Sequence, residues 1–283
     1  GVECDLTVSR LSRTSFLLVV PCATLQRDLK LLKRFAKSKK VVVVDVSASE
    51  GVLSIMGPNC RQLLSKVSPN NFSNESHPFG TWKDIEIGLG IARAHRVSYV
   101  GELGWEIYIS SDQCAHVFEE IWKLRDQVDF RLCGLHTLDS CRIEKGYRHF
   151  GHDITDEDHV IEAGLGFTID MTKDKFLGKQ AILDKKQKGL NKLMMQFLLD
   201  DSSRMIYHNE PIMRDNEIVG YLTSGNYGHF LGAAVGLGYV DCQGLDTEQL
   251  LNFRYFIDVA GKVVSTKASI KPMYDPKSSR VRM

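Results

Sequence analysis

The spacing of apolar residues changes along this chain, and the change suggests where it divides. Leu25, Leu29, Leu32 and Ala36 recur at helical spacing behind Thr24, a residue suited to an N-cap. The short apolar runs at 15–20, 41–46 and 52–56 predict strands. Gly57-Pro58 opens a helix that carries Leu63, Leu64 and Val67. A polar loop over 68–80 leads to predicted strands at 85–89 and 93–100. Val117, Phe118, Ile121 and Trp122 then mark one face of a helix, and Leu135, Leu138 and Cys141 form a stripe on another over 134–145. Gly146 is placed as its C-cap. Strands and helices mixed without strict alternation argue for an α+β fold.

Beyond a charged, glycine-broken linker candidate at 185–192, the pattern becomes that of strands alone. The runs 193–199, 217–223, 233–240, 252–258 and 262–270 are separated by Gly, Asn and Asp turns, with no convincing helix among them. Short strands at such spacing predict a small all-β barrel or sandwich. The expected division is therefore an α+β domain over 1–190 and an all-β domain over 191–283.

Composition narrows the function classes. A chain of 283 residues suggests about two domains. A formal net charge of +1 gives no global pull toward nucleic acid or acidic membranes. No apolar run approaches the ~20 residues that span a bilayer. Seven dispersed cysteines without a Cys-x-x-Cys pair fit reduced thiols in a large intracellular protein. No P-loop or Gly-x-Ser-x-Gly elbow is present, and the Gly225 to Gly232 cluster lacks dinucleotide-binding spacing, so flavin is not expected on this chain. His149, His152 and His159 stand among acids, but their spacing and loop context do not suit a zinc site, and no metal is expected. Lys30, Lys33, Arg34, Lys37, Lys39 and Lys40 read as a solvated helix face, or as a dock for an acidic tail. Strand-like sequence begins at Gly1 with no signal or transit segment, as expected of a fragment or processed piece.

Candidate chemistry lies in Arg96-Val-Ser-Tyr99-Val-Gly101-Glu102-Leu-Gly104-Trp105-Glu106-Ile107-Tyr108-Ile109. Gly101 and Gly104 bracket an expected tight turn by taking backbone angles that other residues avoid. A phenol (Tyr99) and a carboxylate (Glu106) on one hairpin suit a flat heterocycle with adjacent N–H donors, although a surface hairpin with an acidic tip fits the same letters. Asp5 lies in an alternating strand that places Asp5, Thr7 and Ser9 on one face and Leu6 and Val8 on the other; such an acid ordinarily faces water.

Four blocks carry a resemblance: Asp5-Leu6-Thr7-Val8, the Tyr99–Tyr108 segment, Asp139-Ser-Cys-Arg142-Ile-Glu144-Lys-Gly146-Tyr147-Arg148-His149-Phe150, and Glu162-Ala-Gly164-Leu-Gly-Phe167. In this order they resemble the folate-binding family of the glycine-cleavage T-protein, and within it most nearly the C-terminal halves of sarcosine dehydrogenases. The resemblance implies a folate-binding α+β part followed by a compact all-β domain, with the beginning of the folate domain missing. It implies tetrahydrofolate, with or without a polyglutamate tail, as ligand, held by Asp5, Leu6, Thr7, Tyr99, Glu106, Ile107, Tyr108 and Phe167. Asp5 would stand beside the reactive nitrogens as the catalytic carboxylate, and Ile107 and Tyr108 would line one wall. FAD would belong to a missing flavin domain in cis, electron-transfer flavoprotein would serve the complete enzyme, and the mitochondrial matrix would be the location. Arg142 and Glu144 are expected to shape the following loop as an ion pair. One departure stands out: Leu138 occupies the place of an arginine in the stand-alone T-protein. A dimethylglycine dehydrogenase relative, a stand-alone aminomethyltransferase and a non-catalytic regulatory member of the same family are the alternatives.

Overall fold

The computed structural model describes residues 1–242 and 244–283. It separates into two compact units, one of residues 4–134 with 277–283 and the other of residues 1–3 with 135–276. A folding boundary near residue 190 stays a proposal.

In the first unit, β1 (Thr7–Arg10) pairs antiparallel with β2 (Phe16–Val19), and α1 (Leu25–Ala36) follows. The six basic residues at 30–40 all stand exposed. Next come β3 (Glu50–Met56), α2 (Cys60–Val67), β4 (Trp82–Ile87), β5 (Gly90–His95), β6 (Gly104–Ser110) and α3 (Cys114–Trp122). The last four strands form an antiparallel sheet in the order β3-β6-β5-β4.

Strand periodicity decides which face of this sheet is which. Trp105, Ile107 and Ile109 are completely buried and meet Leu63 and Leu64 of α2 and Val117 of α3 in one core. Glu106 and Tyr108 project from the opposite face, as alternation requires. Their cross-strand neighbours there are His95 and Arg93 on β5 and Ser54 and Val52 on β3. An apolar core thus closes one side of the sheet and leaves the other polar.

The second unit holds α4 (Leu135–Glu144), α5 (Lys179–Lys188), β7 (Lys192–Leu199), β8 (Pro211–Arg214), β9 (Glu217–Gly228), β10 (Ala233–Asp241), α6 (Thr247–Asn252), β11 (Tyr255–Val259) and β12 (Lys262–Ser269). The six strands close into a barrel in the order β10-β7-β12-β11-β8-β9. Met195, Phe197, Ile212, Leu222, Val240 and Ile257 pack in its core. The alternate positions Met194, Val235 and Leu237 join Ile143 of α4 in a second cluster. The α+β class with a C-terminal barrel is as expected.

Four local expectations give way. Residues 41–46 form no strand: Val42 and Val44 are 86% and 67% exposed, and β propensity without a partner ladder does not order a strand. The strand expected to reach Val100 stops at His95, because Arg96 turns inward to bond the His77 carbonyl (2.8 Å) and its backbone pairs with Thr81 instead. The linker candidate at 185–192 is largely the last turn of α5, closed by Gly189 at φ +86°. A helix, α6, stands where strands alone were expected, and a reciprocal capping box between Asp246 and Gln249 starts it. No helix among the described residues is long and apolar enough to cross a membrane.

Candidate functional site

The polar face of the four-stranded sheet carries two of the candidate residues, Glu106 and Tyr108. Tyr108 donates its hydroxyl to Glu106 Oε2 at 2.8 Å. Burial, and then the adjacent Glu106 charge, push the Tyr108 phenol above its ordinary range, so it remains a donor. Beside this pair, Arg93 Nη2 meets Glu50 Oε1 at 3.0 Å. His95, the register partner of Glu106, is 3% exposed, and its ring centroid lies 4.6 Å from that of Tyr108. Burial lowers its imidazole to about 4, so the ring is neutral at physiological pH.

His95 Nδ1 lies 3.1 Å from Ser9 Oγ, while its Nε2 is buried with no hydrogen-bond partner. Leaving a buried polar atom unpaired costs on the order of 1–3 kcal/mol, which makes such atoms pointers to function. Trp82 is paired with His95 across β4 and β5, stacks on it at 6.3 Å, and donates Nε1–H to the Arg10 carbonyl at 2.9 Å. Consecutive residues of β1 are thereby fastened to this face of the sheet.

β1 explains the placement of Asp5. Ser9 is buried and Val8 is 58% exposed, so the polar parity of the segment is the one turned toward His95. Thr7 stands two residues along that parity, exposed at the start of β1, and Asp5 lies just ahead of it. Asp5 keeps much of its surface exposed, yet desolvation by neighbouring atoms raises its carboxyl above the ordinary carboxylate range. Leu6 is half-buried.

Other expected site residues fall differently. Tyr99 is not on a strand: it lies half-buried in the 96–103 connection, which is longer than the expected tight turn. Gly101 there does take a left-handed backbone, φ +78°, but Gly104 does not. Gly104 is needed for room, since a Cβ on it would stand 2.0 Å from Met56 Sδ across the ladder. Ile107 does not share a wall with Tyr108, because its side chain is sealed in the core on the opposite face. Phe167 belongs to the second unit, in a single helical turn over Gly166–Thr168, and at 83% exposure is no core residue. Glu102, an acid of the expected turn and not a site residue, is half-buried in the connection where such an acid would ordinarily be left to water.

Sequence reasoning missed Ser9, Trp82 and His95. A signal for the last was available: Arg93 and His95 alternate with Ala92 and Ala94, which marks the second polar parity of a strand beside β6.

In the second unit Arg142 is buried and bonds Asp139 (2.7 Å), Asp153, Ser224 Oγ (2.8 Å) and the Tyr147 carbonyl (3.2 Å). Glu144 accepts the backbone N–H groups of Phe230 (2.8 Å) and Leu231 (2.9 Å). Both residues shape loops, with partners on several elements. A cavity of about 720 Å³ in this unit is lined by His159, Glu162, Lys185, Lys192, Tyr221 and Tyr239 among others. Its lysines are already paired, Lys185 with Glu162 (2.7 Å) and Lys192 with Asp158 (2.5 Å). No group of three or more His, Cys, Asp or Glu among the described residues is placed to hold a metal ion.

Two family models match this chain. The GCVT N-terminal domain covers residues 1–173, and the glycine cleavage T-protein C-terminal barrel domain covers residues 192–275. The chain belongs to the glycine-cleavage T-protein family. It is 38% identical, over its full length, to the 4-methylaminobutanoate oxidase (formaldehyde-forming) of Paenarthrobacter nicotinovorans, and covers 34% of that protein. It is 30% identical to the mitochondrial sarcosine dehydrogenase of Homo sapiens, again over its full length and 33% of the relative. The aminomethyltransferase of Halothermothrix orenii is 32% identical over 85% of this chain and 66% of its own. The chain thus spans about a third of the length of the first two relatives. The crystal structure of the glycine cleavage system aminomethyltransferase T from Bartonella henselae shares the fold, with a TM-score of 0.79 at 24% identity over 94% of this chain and 70% of that one. Oxidase, dehydrogenase and transferase relatives all fall between 27% and 38% identity, so similarity alone does not single out one activity.

Proposed function

We propose that this chain is the folate-binding, one-carbon-transfer portion of a sarcosine dehydrogenase-like enzyme. It passes the carbon of an oxidised N-methyl group to tetrahydrofolate, giving 5,10-methylenetetrahydrofolate and glycine. One observation carries this reading: the Glu106 carboxylate and the Tyr108 phenol stand together on the polar face of a sheet whose other face is the core. The 2-amino group and ring N–H of a pterin form a donor pair that one carboxylate accepts in a fork. Glu106 already takes the Tyr108 hydroxyl on Oε2, and its remaining lone pairs leave room for two more donors. Leu6, Thr7 and Tyr99 are proposed as further contacts.

Asp5 is assigned the proton chemistry. When a folate nitrogen attacks an iminium carbon, the new N–C bond forms, the C=N electron pair goes to the amine nitrogen, and the attacking nitrogen loses a proton. The amine then takes a proton and leaves as glycine when its C–N bond breaks. The second folate nitrogen bonds the same carbon and loses its own proton, which closes the 5,10-methylene bridge. A carboxyl raised by desolvation is well matched to accept the attacking nitrogen's proton and to offset the positive charge of the iminium. Holding acceptor and electrophile together raises their effective concentration and keeps water from releasing formaldehyde. Flavin would supply the oxidation from outside this chain, with electron-transfer flavoprotein taking its electrons. The name of the human relative supports a mitochondrial matrix location, while the Paenarthrobacter nicotinovorans relative matches the chain over the same full length.

A second reading is favoured by the full-length likeness to an oxidase described as formaldehyde-forming. There the substrate is another N-methylamine, and the carbon leaves as formaldehyde. Measuring formaldehyde released per N-methylamine oxidised separates the two, in the chain joined to its flavin-bearing half. Under the transfer reading, saturating tetrahydrofolate suppresses formaldehyde and Asp5→Asn restores it. A loss of about tenfold in capture corresponds to about 1.4 kcal/mol in the transition state. Formaldehyde equal to amine oxidised, with or without folate, would establish the oxidase reading instead.

A further inference from the structure

β1 hydrogen-bonds through its backbone with β2 in a two-stranded sheet separate from the four-stranded one. Two side-chain bonds from consecutive residues fasten it to the larger sheet. Ser9 Oγ meets His95 Nδ1 at 3.1 Å, and Trp82 Nε1 donates to the Arg10 carbonyl at 2.9 Å. The two residues of the larger sheet that make these bonds, Trp82 and His95, are themselves register partners on β4 and β5, with rings stacked at 6.3 Å. The other side of the His95 ring lies 4.6 Å from Tyr108, whose hydroxyl is on Glu106. One buried imidazole therefore touches both the strand that follows Asp5 and the pair assigned to the pterin.

We propose that His95, supported by Trp82, is the positioning residue that sets the Asp5 segment in register against Glu106 and Tyr108. This inference rests on the folate reading above. Extended chain transmits the register: Ser9, Thr7 and Asp5 share a parity, and four residues span about 13 Å. A neutral ring suits the task, because it pairs with a hydroxyl without placing a charge beside Glu106. Its unpaired Nε2 argues against selection for stability alone, where an apolar ring or a fully bonded one would serve better.

The test is calorimetric titration of the chain with 5-formyltetrahydrofolate, a stable reduced folate, using Ser9→Ala, His95→Phe, Asp5→Asn and their pairwise combinations. His95→Phe keeps the aromatic packing and removes both nitrogens. Each single variant is expected to weaken binding about three- to tenfold, the scale of one hydrogen bond. Ser9→Ala with His95→Phe should lose no more than His95→Phe alone, since both delete one bond. Asp5→Asn should add nothing in the His95→Phe background, because the carboxylate is no longer in place. A residue that merely stabilises the fold would lower the melting temperature and leave the Asp5→Asn loss intact. Should His95→Phe fail to fold, Ser9→Ala combined with Asp5→Asn asks the same question. Losses that add, or unchanged affinity in Ser9→Ala and His95→Phe while Glu106→Gln weakens binding, would overturn the positioning role and leave the folate reading standing. A wild-type chain that binds no probe would overturn both.

Discussion

His77 and His95 are 1% and 3% exposed, and burial holds both imidazoles down at about 4. His77 Nδ1 accepts the Trp105 indole N–H at 3.1 Å, an arrangement that requires the neutral ring. Both rings take protons near pH 6.5 once unfolded. Between pH 6.5 and 4 the unfolded chain therefore binds more protons than the folded one, and stability falls as pH drops through that window. Each unit of depression is about 1.4 kcal/mol. Thermal melts from pH 7 to pH 4.5 should show a declining midpoint, and the decline should be shallower in His77→Asn, which keeps an acceptor but does not titrate. Identical slopes in both proteins would show that His77 is not buried as a neutral ring. His77 was not legible as important from sequence. A lone histidine carries no periodic signal, and what marks His95 is its parity on β5 beside a strand whose polar face is occupied.

At the level of elements, legibility followed hydrogen-bond partnership. The strand at 104–110 was readable because its alternation is clean: Trp105, Ile107 and Ile109 went to the core and Glu106 and Tyr108 to the other face. The same alternation makes Ile107 a core side chain. Residues 41–46 carry a strand-like composition, but they find no ladder among the described residues. Helix α6 announced itself through Asp246 and Gln249, three apart, a short polar signal that is easily lost among strands. Buried polar networks are the least legible, since their members are far apart in sequence. Asp153 is fully buried and joins α4 to β9: it bonds Arg142, the His149 N–H (2.9 Å), Thr223 and Ser224 Oγ (2.6 Å). Asp153→Asn leaves the Arg142 charge with a weaker partner in a dry site, and should cost about 3 kcal/mol. Urea unfolding should then show a lower midpoint at an unchanged slope. A loss below about 1 kcal/mol would mean that Asp139 alone neutralises Arg142.

For the whole molecule, family and fold class were legible because four motif blocks run in order from Asp5 to Phe167 and strand-spaced runs fill the chain beyond 192, and the family models match 1–173 and 192–275. The particular activity was not. The chain spans about a third of its oxidase and dehydrogenase relatives, and those relatives differ in activity at similar identity. What this chain itself must do, on the proposed reading, is hold a reduced folate on Glu106. Calorimetric titration with tetrahydrofolate of the wild type, Glu106→Gln and Glu102→Gln tests that directly. Removing a charged acceptor from an enclosed donor pair should cost about 1.5–3 kcal/mol, or roughly tenfold to a hundredfold in affinity, and a carboxylate in the connecting loop far less. The expected result is strong loss in Glu106→Gln with near-native binding in Glu102→Gln. Equal losses, a greater loss in Glu102→Gln, or no binding by the wild type would contradict it.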